Sequence, residues 1–194
     1  MGHSRAGKTK THKRIVKIAS RRFREKGIAG VGIADLMKEA GLTVGGFYKH
    51  FDSRDALVAE AVSSAFGGWK RRVDAAASGG PPVSYEKLID EYLNEAHRDD
   101  PGAGCAFSAL AGEIARTDKR TRALATEQIR NDIQLLAGLL ADKDKDQNND
   151  AARSKAILTF SALVGAMALA RAASDKALSL EILRTVKELL KTCP

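Results

Sequence analysis

Little in this chain can staple, kink or stack it. Its 194 residues include two cysteines, four prolines and only 5% aromatic residues. Cys105 and Cys193 fit no metal-ligand spacing, which argues against a disulfide framework or zinc ribbon and for a reducing, cytoplasmic setting. Long apolar runs are missing too. The longest uncharged stretch, Ala156 to Ala170, falls short of the roughly 20 residues that span a bilayer, and no apolar core follows the basic N-terminus as it would in a signal peptide. Neither secretion nor a membrane partner is expected. Apolar residues are plentiful, at 44%, and a chain of this length can bury on the order of 70% of its unfolded surface, so one or two domains can fold without staples.

Charge is informative by position. Residues 1 to 60 hold 13 Lys plus Arg against 6 Asp plus Glu, while residues 61 to 194 hold 19 against 18. Most of the formal charge of +8 therefore lies in the first third, where ten basic residues from Arg5 to Lys26 face the single acid Glu25. A basic head on a nearly neutral body suggests a polyanion-binding part and a part with another task.

The apolar period is helical throughout. Ile15, Ile18, Ala19, Arg22 and Phe23 form one stripe from Thr11 towards Gly27, and similar stripes follow Ser84 and Asp118 and recur near the C-terminus. Thr43, Ser53 and Asp118 stand where N-caps are expected. No strand alternation appears. The expected fold is all-α, with about nine helices. A long helix from Ser53 through Trp69 should join head to body as a lever.

The sharpest pattern lies at residues 33 to 51, IADLMKEAGLTVGGFYKHF. One short helix stops at Gly41 and a second starts at Thr43, the connection a helix-turn-helix needs. Leu36, Met37, Leu42, Phe47 and Phe51 can bury against the preceding helix, which leaves Thr43, Val44, Gly45, Tyr48, Lys49 and His50 outward. These supply a hydroxyl, a phenol and a cation for phosphates and an apolar tip for a thymine methyl. Paired Gly45 and Gly46 cost helix stability, up to about 1 kcal/mol each, but let the backbone approach a groove. The basic run Lys8 to Arg14 reads as a flexible arm that could enter a minor groove, or as a solubilising tail. His3 and His12 have no expected role.

The segment Arg14 to Leu57 resembles the DNA-binding domain of the TetR family of transcriptional regulators. Shared features are the opening helix with Ala19, Phe23 and Gly27, the turn around Ala40-Gly41-Leu42, the Tyr48-x-His50-Phe51 ending and the Asp52-Ser53-Arg54-Asp55 start of the next helix. The resemblance implies phosphate contacts by Thr43, Tyr48 and His50, with Lys49 beside them and Arg54 meeting the backbone from the next helix. Gly32 stands where relatives have a hydroxyl cap, and Gly45 replaces a side chain that often reads a base, so Val44, Lys49 and DNA shape carry more of the readout. It also implies a head at residues 1–52 and a helical effector-binding and dimerisation domain at 53–194.

In that body the resemblance implies a cavity for a small, mainly hydrophobic effector, with Trp69, Tyr85, Tyr92, Cys105, Phe107, Ile114, Ile133 and Phe160 as its candidate lining. The stretch around Gly165 is apolar all round, more than a monomer of this size easily hides. A homodimer is therefore expected, through Leu158, Ala162, Gly165, Ala166, Leu169, Ile182, Val186 and Leu189. No nucleophile elbow, phosphate-cradling loop, His-Glu-x-x-His or paired carboxylates appear, so no enzyme, cofactor or metal site is expected; the acids of Asp142 to Asp150 lack the central Gly and terminal Glu of a calcium loop. The reading is a ligand-responsive repressor on a pseudo-palindromic duplex operator. Alternatives are a constitutive or architectural DNA-binding protein and a helical RNA-binding or adaptor protein.

Overall fold

The computed structural model describes residues 5–141 and 149–192. His3, Cys193 and most of the acidic run from Asp142 lie outside the described residues. Within them the chain is all-helical, with ten α-helices, one 3-10 helix and no strand. The helices fall into two compact units, Met1–Phe66 with Pro101–Thr126, and Gly67–Asp100 with Glu127–Pro194.

The first unit holds α1 (Arg5–Lys26), α2 (Ile33–Glu39), the 3-10 helix (Val44–Lys49), α3 (Arg54–Ala65), α7 (Ala106–Ile114) and the start of α8 (Lys119–Leu140). Ile15, Ala19 and Phe23 recur every fourth residue of α1 and are buried, with α1 packed on α2, α3 and α7. Full burial of side chains such as Ile15 and Phe23 is worth about 1.5–3 kcal/mol each. The helix starts earlier than its apolar stripe: Lys8 to Arg14 is two ordered turns of α1, not a flexible arm. Leu36, Met37, Phe47 and Phe51 complete the core, with Leu42 half-buried. Ser53 Oγ caps α3 by accepting from Ala56 N at 3.0 Å, and Asp118 caps α8 by accepting from Thr121 N at 2.9 Å.

The expected lever is two helices. α3 ends at Ala65, Phe66 is extended, and Gly67 takes φ 75° before α4 (Gly68–Ala77) begins. A left-handed residue followed by a second glycine removes the propensity a continuous helix would need there.

The second unit contains α4, α5 (Tyr85–Tyr92), α6 (Glu95–Asp99), the rest of α8, α9 (Asn149–Ala172) and α10 (Lys176–Thr192). α9 packs on α10 and α6, and α10 on α5. Arg171 donates to the carbonyls of His97 (2.6 Å) and Arg98 (3.1 Å), and Ser179 Oγ donates to Ala170 O at 2.6 Å, which ties α6, α9 and α10 together. By length and composition the Asp150–Ala172 stretch could cross a membrane, longer than the uncharged stretch alone suggests. Its buried face, Ala156, Phe160, Leu163 and Met167, is instead core of this unit.

Asp132, on α8, is 8% exposed, and its carboxylate accepts from Gln128 Nε2 at 2.9 Å. Burial pushes its pKa up from 3.8 to about 6. The unfolded chain ionises this group near 3.8 and the folded chain resists doing so, so folding becomes costlier as pH rises from about 4 to 6, and the cost is complete above that. Roughly two pKa units correspond to at most about 3 kcal/mol. Asp132→Asn should therefore be the more stable protein at neutral pH, by about 1–3 kcal/mol in urea unfolding, with the gain shrinking towards pH 4. Equal stabilities at both pH values would contradict this.

Candidate nucleic-acid interface

The turn between α2 and the 3-10 helix is closed by the backbone. Gly41 takes φ 67°, and Leu42 N donates to Met37 O at 2.8 Å. Thr43 then occupies the N-cap position, with no hydrogen bond from its side chain to the helix, while Gly46 N donates to Thr43 O at 3.0 Å. The segment expected as a short α-helix is a 3-10 helix, because two adjacent glycines favour no long i→i+4 ladder and the tighter i→i+3 bonds close six residues.

This segment separates its residues as the sequence pattern requires. Phe47 is buried against Phe51, with ring centroids 5.4 Å apart. Thr43, Val44, Gly45, Tyr48 and Lys49 are exposed, Tyr48 at 73%, and Tyr48 stands edge-on to Phe47. A Cβ on Gly45 would meet nothing within 4 Å, so packing does not require a glycine there. His50 closes the segment half-buried, its Nδ1 enclosed without a hydrogen-bond partner. Burial first, then the charges of His12, Lys8 and Lys49, hold its pKa below the usual imidazole value.

Arg54 is engaged inside the protein. Its guanidinium donates to the carbonyls of Ile28 and Val31, in the loop between α1 and α2. The amides of the same loop are met from α7: Glu113 accepts from Ile28 N at 2.7 Å and Ala29 N at 3.2 Å. Gly27, at φ 79°, makes room for it, since a Cβ there would lie 2.7 Å from Glu113 Oε1. Sequence spacing could not link residues 85 positions apart, although Glu113 is the sole charge in AFSALAGEI. Glu113→Ala leaves two amides without their acceptor and should cost about 1–3 kcal/mol, read as a lower urea midpoint. An unchanged midpoint would show that the contact contributes nothing. His12, given no role from sequence, bonds Glu60 through Nε2 at 2.6 Å and stacks on Phe51 at 4.5 Å.

The candidate effector residues divide between the units. Cys105, Phe107 and Ile114 belong to the first, where Phe107 stacks on Phe66 at 5.0 Å. Trp69, Tyr85, Tyr92, Ile133 and Phe160 belong to the second. There Trp69 meets Tyr92 and Phe160 edge-on, at 5.6 and 5.8 Å, and Tyr85 Oη shares a 2.8 Å hydrogen bond with Thr159. Of the candidate interface residues, Leu158, Leu169 and Leu189 are exposed and Ala162, Gly165, Ile182 and Val186 are half-buried. Ala166 is 4% exposed, on the core-facing side of α9.

Residues 15–61 match the family model of bacterial regulatory proteins of the tetR family, and residues 81–188 match the C-terminal domain of LmrA/YxaF-like transcriptional regulators. The uncharacterized HTH-type transcriptional regulator YerO of Bacillus subtilis is 33% identical over 72 residues, 36% of this chain and 25% of that protein. The HTH-type transcriptional repressor NemR of Escherichia coli is 23% identical over 119 residues, 60% of each chain. The chain thus spans less than two thirds of the length of these two relatives. The crystal structure of reduced NemR has a TM-score of 0.73 at 18% identity, covering 94% of this chain and 95% of that one. The Bacillus subtilis regulator FadR, solved in complex with stearoyl-CoA, has a TM-score of 0.65 at 14% identity, over 93% and 97%. A helix-turn-helix head and a regulator-type C-terminal domain, matched in order along one all-helical chain, place this chain in the TetR family of transcriptional regulators.

Proposed function

We propose that this regulator is a repressor that binds a pseudo-palindromic operator as a homodimer and lets go when a small hydrophobic effector binds its body. It acts in the cytoplasm, where bacterial DNA lies. Residues 1–52 are the DNA-binding domain, and residues 53–194 take the effector and the partner subunit. Thr43, Val44, Tyr48, Lys49 and His50 meet the duplex, with Gly45 allowing the backbone close to the groove. Arg54 acts indirectly, by fixing the loop between α1 and α2.

One observation carries this reading. Among the described residues, the large apolar side chains left exposed lie in only two places: Val44 and Tyr48 on the 3-10 helix, and Ile157, Leu158, Leu169, Leu178 and Leu189 on α9 and α10. A surface that spends its exposed apolar area so narrowly is built for two contacts. One is set in a basic head and the other on a pair of packed helices, which suits a duplex and a second subunit. For the effector, the cluster of Trp69, Tyr92 and Phe160 offers aromatic edges with Trp69 half-buried, and FadR, with a similar fold, was solved with stearoyl-CoA.

Trp69 is the only tryptophan, so its fluorescence reports on that cluster. Hydrophobic compounds that quench Trp69 should weaken duplex binding by about 5- to 150-fold, and the duplex must weaken compound binding by the same factor. Quenching with no change in duplex affinity would leave a constitutive DNA-binding protein.

A further inference from the structure

The first two turns of α1 are basic, ordered and anchored to the DNA-reading head. Lys8 and His12 are four residues apart and share one face of the helix. That face is fixed by His12, whose Nε2 pairs with Glu60 on α3 at 2.6 Å and whose ring stacks on Phe51 at 4.5 Å and 29°. The His50 ring lies 6.2 Å from the His12 ring. The charges acting on His50 are therefore those of Lys8 and His12 from α1 and Lys49 from its own segment, and His12 is in turn bonded to Glu60 of α3. Lys8 and Lys49 are both exposed, and neither has an acidic partner among the described residues. Glu60 is engaged by His12, so this cluster presents Lys8 and Lys49 without a bound anion. It adjoins the exposed Tyr48, where a duplex backbone would pass.

We propose that the start of α1 belongs to the DNA-contacting surface, with Lys8 joining Lys49 and His50 around one backbone phosphate. The inference rests on the DNA-binding reading above. It replaces a flexible arm searching a groove with a rigid helix end that grips the backbone, so it adds affinity without adding sequence readout. It also links binding to protons. In the free protein, burial and the neighbouring cations disfavour a proton on His50. A phosphate beside the ring favours one, because an opposite charge stabilises the charged form. Duplex binding then takes up a proton at His50, and affinity falls as pH rises through the interval between the free and bound pKa values.

Phosphate contacts ignore sequence, so a labelled duplex of about 30 base pairs of arbitrary sequence at low salt is a sufficient probe. Its affinity is measured by fluorescence anisotropy from about pH 5.5 to 8 at constant ionic strength, and against salt at one pH. The wild type should bind more tightly towards low pH. Lys8→Gln should lower the log K against log salt slope by about 0.9 for each subunit engaged. His50→Gln should flatten the pH dependence. Independently of any variant, the NMR titration of the His50 ring in the wild type should move to higher pH when duplex is added. An unchanged salt slope in Lys8→Gln, or a His50 titration that duplex does not move, overturns this inference and leaves the DNA-binding reading standing. A wild type that binds no duplex overturns both.

Discussion

Replacing Tyr48 and Lys49 together with alanine should lower duplex affinity by about 100-fold or more while leaving the fold unchanged. Both side chains are exposed, so their loss creates no cavity, and surface changes of this kind usually alter stability by no more than about 0.5 kcal/mol. Hydrogen bonds to a charged phosphate are worth about 1.5–3 kcal/mol each, and a symmetric dimer loses each contact twice. Even one such contact per subunit gives about 3 kcal/mol, which is roughly 100-fold in affinity. The loss should be similar on operator and arbitrary duplex for Lys49→Ala, because a phosphate contact carries no sequence information. Anisotropy titrations of the single and double variants, with far-UV circular dichroism to check the helices, measure this. Full affinity in the double variant would remove the 3-10 helix from the interface.

Gly165→Glu should convert the proposed homodimer to monomer or aggregate. Ile157, Leu158, Gly165 and Leu169 lie on the outward side of α9, Leu158 at 65% and Leu169 at 61% exposure, and no charge occurs from Ala156 to Ala170. A Cβ at Gly165 would meet nothing within 4 Å, so a single subunit has room for glutamate. At the proposed close helix crossing it would have none, and two-fold symmetry would bring two carboxylates into the same apolar contact. The desolvation penalty is several kcal/mol per ion even after relaxation. Gly138→Glu, on α8 and equally open in the single subunit, is the control and should stay dimeric. Sedimentation equilibrium at micromolar concentration separates the outcomes. A Gly165→Glu protein that remains a soluble dimer would place the interface elsewhere.

The fold class was legible because helical periodicity is local: the Ile15, Ala19 and Phe23 stripe and the Ser53 and Asp118 caps read directly as the structure has them. The start of α1 was not, because Lys8 to Arg14 carries no apolar stripe and its bond to α3, from His12 to Glu60, spans 48 residues. The break in the lever was signalled by Gly67 and Gly68, which the apolar pattern on either side outweighed. In the candidate interface, the outward set from Thr43 to Lys49 followed from the buried Phe47 and Phe51, whereas the 3-10 geometry depends on which hydrogen bonds six residues can close. Arg54, expected to meet the DNA backbone, also bonds the Ile28 and Val31 carbonyls, a contact that sequence spacing does not reveal, and Glu113 was marked only as the sole charge of its helix.

Selection of bound duplexes from a random pool reads DNA binding, symmetry and spacing at once. The dimeric reading predicts enriched sequences that form a pseudo-palindrome, with half-site centres one helical turn apart, about 34 to 36 Å, or a small multiple of that. Enrichment should vanish when the pool is offered to the Tyr48→Ala, Lys49→Ala double variant. No enrichment with the wild type, or enrichment of sequences without two-fold symmetry, would mean that this chain does not bind an operator as a symmetric dimer.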